Sequence, residues 1–181
     1  MLTWELGIKY INSSMNKKII VDCDGVLLDW AYAFDVWMAE HGFHRVPDTQ
    51  KYYSQSKKDA IEYVNKLHNL GWRFEVVSSL NKDKYAQRLR EKNLIHLFGN
   101  VFDFIDCSLD HTYTKEEYLR ERYSGQDHFW LEDSVSNAIA GRNIGLHSVI
   151  MDHEYNQEWD GPRVMNWQHV YQMIPNDDTT H

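Results

Sequence analysis

The chain has 181 residues, with 27 acidic against 19 basic side chains and a formal net charge of −8. That length allows one full core, and the acidic balance argues against a broad electrostatic footprint for nucleic acid or an anionic membrane. Two cysteines, Cys23 and Cys107, form no C-x-x-C pair or zinc-type cluster, so a reducing, cytoplasmic setting is expected. No apolar run approaches the roughly 18 residues of a membrane span, and the first residues lack the pattern of a secretory signal. P-loop, G-x-G-x-x-G and H-E-x-x-H motifs are all missing.

Residues before Met15 carry no motif and read as an edge strand, a leader, or sequence upstream of a start at Met15. Ile19, Ile20 and Val21 then form a β-branched run that predicts a buried strand, followed by Asp22-Cys23-Asp24-Gly25: two carboxylates two residues apart and the glycine of a tight turn. Acids at the carboxyl edge of a strand stand where open α/β sheets bind ligands. The plain alternative is an Asp-rich turn. A calcium loop fits poorly, because it wants its glycine sixth and Gly25 is fourth counting from Asp22.

Trp30, Phe34, Trp37, Met38 and His41 recur at helical spacing up to Gly42, and a turn-rich stretch around Pro47 follows, so residues 30–56 are expected to form a small helical cap. These aromatics, with Tyr32, Tyr52 and Tyr53, are either the cap's own core or a stacking wall for a base or sugar. A helix over 57–67, stopped at Gly71, leads to a strand over 74–77 that ends in Ser78-Ser79. Serines after a strand are ordinarily turn residues.

A charged helix over 82–92 and a strand over 101–105 come next. Thr114-Lys115-Glu116-Glu117 is a capping box, and it places Lys115 at a helix N-terminus, where the dipole favours anions. Lys115 is either a solvated surface lysine or one that meets an anionic ligand. A strand over 128–131 runs into Glu132-Asp133 and a short helix stopped by Gly141. Those two acids are either a charge pair at a helix start or a site. The chain closes with a strand over 147–151, Tyr155-Asn156, Arg163-Val164-Met165-Asn166-Trp167, a last short helix with Val170 and Met173, and a frayed end over 177–181.

Alternating strands and helices imply parallel crossovers, hence an α/β class: a Rossmann-like parallel sheet flanked by helices, in one domain with its core about residues 15–29 and 57–175. Asp22-Cys23-Asp24-Gly25-Val26 resembles the first motif of the haloacid dehalogenase-like hydrolases, D-x-D-G-[TV] after a strand. Ser78, Lys115 and Glu132-Asp133-Ser134 resemble the second, third and fourth motifs, in order; the likeness spans residues 18–141. The segment Tyr155-Asn156 with Arg163-Val164-Met165-Asn166-Trp167 is more loosely similar to the tail of the 5'(3')-deoxyribonucleotidase branch.

The resemblance implies a magnesium-dependent phosphatase. In that reading Asp22 is the nucleophile and Asp24 the acid/base, Ser78, Ser79 and Lys115 hold the phosphoryl group, and Asp22, Asp24 through its carbonyl, Glu132 and Asp133 bind Mg2+. The implied partner is a small phosphorylated substrate, with a (deoxy)nucleoside monophosphate preferred, and no stable nucleic-acid complex or membrane is expected. Two alternatives are a polynucleotide terminal phosphatase and a catalytically silent binding protein on the same fold. The second is disfavoured because Asp22, Asp24, Lys115, Glu132 and Asp133 are all present.

Overall fold

The computed structural model describes residues 17–29, 48–80, 83–109 and 112–175. Its strands are β1 (Lys18–Val21), β2 (Leu28–Asp29), β3 (Gln55–Ser56), β4 (Arg73–Ser79), β5 (Phe102–Leu109), β6 (Phe129–Glu132), β7 (His147–Met151) and β8 (Arg163–Val164). Among the described residues five α-helices accompany them: α1 (Ala60–Asn69), α2 (Lys84–Phe98), α3 (Lys115–Tyr123), α4 (Val135–Asn143) and α5 (Trp167–Met173). Six strands form one parallel sheet in the order β5-β4-β1-β6-β7-β8. From β1 the chain builds β4 and β5 to one side and then returns to the other with β6, β7 and β8. The strand order therefore reverses at β1, and a crevice opens at its carboxyl end.

Both faces of β1 are covered over Ile19, Ile20 and Val21, which is why those three are consecutively apolar. Ile19 and Val21 pack with Val64 and Leu67 of α1, Leu94 and Phe98 of α2 and Val170 of α5. Ile20 turns the other way, against Trp130 and against Leu119 and Tyr123 of α3. The last helix is tied back to the start of α1, because the Asp59 carboxylate accepts from the backbone N–H groups of Trp167 at 3.2 Å and Gln168 at 2.8 Å.

β2 and β3 pair antiparallel, Leu28 opposite Ser56 and Asp29 opposite Gln55, so the segment between them leaves and rejoins the core at one place. The helix expected from Trp30 to His41, with Tyr32, the stop at Gly42 and the turn at Pro47, lies outside the described residues. So do the residues before Met15 and the end at 177–181. The described part of the insertion contains a 3-10 turn, Gln50–Tyr52, and Tyr53 packs edge-on against His96 of α2 at 5.6 Å between ring centroids. Among the described residues no helix is long and apolar enough to cross a membrane.

Several boundaries differ from the sequence expectations for physical reasons. α2 runs past Lys92 because Leu94 and Phe98 extend its buried face, and it stops at Gly99, φ 71°. β5 continues past Ile105 to Leu109, where Cys107 and Leu109 are still buried. Gly141 is not a stop: α4 passes through it to Asn143, and the chain turns at Gly145, φ 94°. A Cβ on Gly141 would lie 2.3 Å from Trp130 Cδ1 and 2.7 Å from Ser148 Oγ, so the glycine lets the helix lie close on the sheet. Gly141→Ala is expected to lower stability by about 1–3 kcal/mol through overpacking. A lower urea midpoint at unchanged slope would show it, and an unchanged midpoint would contradict the close approach.

Candidate active site

β1 and β6 are neighbours in register, Val21 opposite Leu131, so the residues that follow them emerge side by side at the carboxyl edge. The backbone N–H of Asp22 donates to the Leu131 carbonyl at 2.9 Å, which prolongs the ladder by one residue and fixes where that side chain starts. Ligand oxygens of Asp22, Glu132 and Asp133 lie within 4.8 Å of one another. Lys115, the first residue of α3, points its ammonium into this group and donates to Asp22 Oδ1 at 2.7 Å and to Glu132 Oε1 at 2.5 Å. A cation at a helix N-terminus is thus reconciled with the dipole by two buried carboxylates that the fold delivers from other strands.

Glu132 is fully buried, and both of its oxygens are occupied. Oε1 accepts from Lys115 and from Asn137 Nδ2 at 2.9 Å; Oε2 accepts from the backbone N–H groups of Asp133 and Ser134, each at 2.8 Å. Four donors saturate a carboxylate. Glu132 therefore orients Lys115 and the start of α4, while Asp22 and Asp133 have the freer oxygens.

Electrostatics follow from burying two acids, Asp22 and Glu132, around one ammonium, with Asp133 half-buried beside them. Burial pushes the Asp22 carboxyl up to about 6; the Lys115 ammonium works against that rise and the Glu132 carboxylate adds to it. Glu132 is raised as well, by burial first, again against Lys115. Burial alone would lower the Lys115 pKa, but Asp22 and Glu132 outweigh it and push the group up. The cluster holds more negative charge than its own cation can neutralise.

The turn after β1 is built to bring backbone and acids together. Gly25 has φ 76°, and a Cβ there would lie 2.2 Å from Asp133 Oδ2, so only glycine fits. The Asp24 carboxylate is turned to Arg90 of α2, whose guanidinium donates to Oδ1 and also lies 3.5 Å from Cys23 Sγ. Burial raises the Asp24 pKa, and Arg90 opposes the rise. On β4, Val76 lies opposite Val21, which puts Ser78 and Ser79 level with Cys23 and Asp24; Ser78 is buried and Ser79 exposed.

Asp22, Lys115, Glu132 and Asp133 are therefore brought together as the sequence motifs suggest, with Ser78 and Ser79 at the same edge and the Asp24 carboxylate held to one side. Sequence reasoning missed Arg90 and His153. Arg90 is one of many charged residues on α2, and nothing local marks it. His153 Nε2 donates to the Gly25 carbonyl at 2.8 Å, a contact spanning 128 positions. The tail motif does mark Tyr155, Asn156, Arg163 and Trp167, and each is tied to the site. Tyr155 donates to Asp133 Oδ2, Asn156 Nδ2 donates to the Asp133 carbonyl at 2.8 Å, Arg163 NH1 donates to Asn156 Oδ1 at 2.7 Å, and Trp167 Nε1 donates to the Val26 carbonyl at 2.9 Å.

The fold is the one found in haloacid dehalogenase-like hydrolases. A HAD-hydrolase of Bacillus subtilis, crystallised with magnesium, superposes at a TM-score of 0.65 with 14% identity, covering 88% of this chain and 99% of that one. A HAD phosphatase of Thermococcus onnurineus gives 0.64 and 15%, covering 88% and 98%. The D,D-heptose 1,7-bisphosphate phosphatase of B. bronchiseptica, complexed with magnesium and phosphate, gives 0.61 and 12%, covering 86% and 96%. No protein-family model and no curated protein matches the sequence.

Proposed function

We propose that the chain is a magnesium-dependent phosphomonoester hydrolase that works through an aspartyl-phosphate on Asp22. The observation that carries this reading is the convergence of Asp22, Glu132 and Asp133 within 4.8 Å, with Lys115 spanning two of them. The donor set fits the metal: carboxylate and carbonyl oxygens are hard ligands of the kind magnesium takes, and the local excess of negative charge calls for a cation. Asp22, Asp133 and the Asp24 carbonyl would hold it, while Glu132, whose oxygens are already taken by four donors, would orient Lys115 and the Asp133 backbone beside the ion. When bound, the ion supplies positive charge for the non-bridging phosphoryl oxygens beside the nucleophile.

The chain's own groups account for the rest. Lys115 fixes the Asp22 carboxylate through Oδ1 and, with Ser78 and Ser79, holds the transferring group. Asp22 attacks phosphorus, the bond to the ester oxygen breaks, and Asp24, turning from Arg90 toward the substrate, gives that oxygen its proton. Asp24 then takes a proton from water, which attacks the phosphorus of the aspartyl-phosphate. Inorganic phosphate leaves and the Asp22 carboxylate is restored.

The net charge of −8 weighs against a polyanionic substrate and so favours a small phosphorylated metabolite; a (deoxy)nucleoside monophosphate is the preferred member, supported by the tail residues Tyr155, Asn156, Arg163 and Trp167 being bound to the site. Release of inorganic phosphate from nucleoside monophosphates, sugar phosphates and a 3'-phosphorylated oligonucleotide, each with Mg2+ or with a chelator, tests both levels. Magnesium-dependent release from mononucleotides is expected. Preference for the oligonucleotide would replace the substrate assignment, and no release from any of them would refute the activity.

A further inference from the structure

The loop after β7 engages the acid cluster at more points than packing requires. Asp133 is gripped twice: its backbone carbonyl accepts from Asn156 Nδ2, and its Oδ2 accepts from the Tyr155 hydroxyl. Asn156 is itself fully buried and pinned, since Nδ2 also donates to the Met151 carbonyl at 2.9 Å while Oδ1 accepts from His153 N at 3.1 Å and Arg163 NH1. The same loop reaches the first acid motif, where His153 Nε2 donates to the Gly25 carbonyl. His153 and Tyr155 stack, with ring centroids 4.9 Å apart and planes 9° from parallel, so the residue that holds Gly25 also fixes the ring that holds Asp133.

Tyr155 is 62% exposed, so burial of its ring is not what keeps it there. Its hydroxyl is aimed at one oxygen of a carboxylate whose position is already crowded by Gly25, the glycine that could carry no Cβ. A carboxylate with one oxygen engaged by a fixed donor presents the other in a single orientation, and outer donors of this kind typically change metal affinity 10–100-fold when removed.

We propose that Tyr155 is a positioning residue for the cation site, holding Asp133 in the orientation that ligates Mg2+, with His153 and Asn156 bracing it. This rests on the magnesium reading above. The hydroxyl contributes to how tightly the ion is held, not to the stability of the fold, because an exposed side chain loses little burial when it loses one oxygen.

Calorimetric titration of Mg2+ into the wild-type protein and Tyr155→Phe, without substrate, tests it. The variant keeps the ring and its stack on His153 and lacks only the donor. Expected is a 10–100-fold weaker Mg2+ affinity, an unshifted melting temperature for the metal-free protein, and a matching rise in the Mg2+ concentration that half-saturates phosphatase activity. Equal affinity in the two proteins would overturn the proposal, as would tighter binding by Tyr155→Phe, which would make the hydroxyl a competitor of the ion. Wild-type protein that takes up no Mg2+ at all would refute the magnesium reading itself, so the two failures are distinguishable.

Discussion

Asp22→Asn is expected to abolish phosphate release and, at the same time, to make the metal-free protein more stable at neutral pH. The loss of activity is on the scale of removing a covalent nucleophile, roughly 10⁴-fold or more, because an amide cannot attack phosphorus. The gain in stability follows from the direction of the pKa shift. Burial, less the effect of Lys115, moves Asp22 from 3.8 in its ordinary state up to about 6 in the fold. A carboxyl whose folded pKa is raised stabilises the fold below its ordinary pKa and loses that contribution as the pH rises through the folded value. Above pH 6 the ionised Asp22 therefore costs the fold on the order of 3 kcal/mol at 1.36 kcal/mol per unit. Asparagine is spared this cost, and its amide oxygen can still accept from Lys115. Melting without metal should place the variant roughly 6–12 °C above wild type at pH 7 to 8, with the gap closing toward pH 4 and narrowing when Mg2+ is added. A variant less stable than wild type at pH 8 without metal would contradict the charge excess in the cluster.

Lys115→Met has the opposite effect on the fold. Among the described residues its ammonium is the one positive group bonded to both Asp22 and Glu132, whose side chains are 8% and 0% exposed. Removing it leaves two buried carboxylates without a counter-charge, a loss of about 3–5 kcal/mol. The loss should be greatest at high pH, where the acids cannot escape it by taking up protons, and Mg2+ should restore part of it. Lys115→Arg is not a rescue, since a planar fork does not occupy the place of a compact ammonium between two carboxylates. Urea unfolding at pH 8, with and without Mg2+, is the measurement. A Lys115→Met protein as stable as wild type would mean that the cluster does not hold the charges assigned to it.

How far the sequence discloses this site depends on how local each feature is. Asp22, Asp24, Glu132 and Asp133 stand at the ends of apolar strands and Lys115 follows a capping threonine, so strand patterning and helix capping mark them as candidates, and the resemblance to the four hydrolase motifs selects them. Arg90 and His153 reach the site across 66 and 128 positions, and their neighbours in the chain carry no trace of that contact. Gly141 shows a different limit: a glycine near a helix end can be a stop or a point of close packing, and here the proximity of Trp130 and Ser148 decides for packing. β8 spans two residues and pairs only with Ile150 and Met151, which is too short for any periodic pattern. The saturation of Glu132 by four donors likewise depends on Asn137 and on two backbone amides whose directions only the fold sets.

The central claim is that Asp22 is the reacting carboxylate of this cluster. Acid quenching during turnover with Mg2+, followed by mass spectrometry of the peptides, tests it most directly. A phosphoryl group localised to Asp22, and missing from Asp22→Asn, is the result expected. Sustained magnesium-dependent phosphate release by Asp22→Asn, or a trapped phosphoryl group on any other residue, would contradict it.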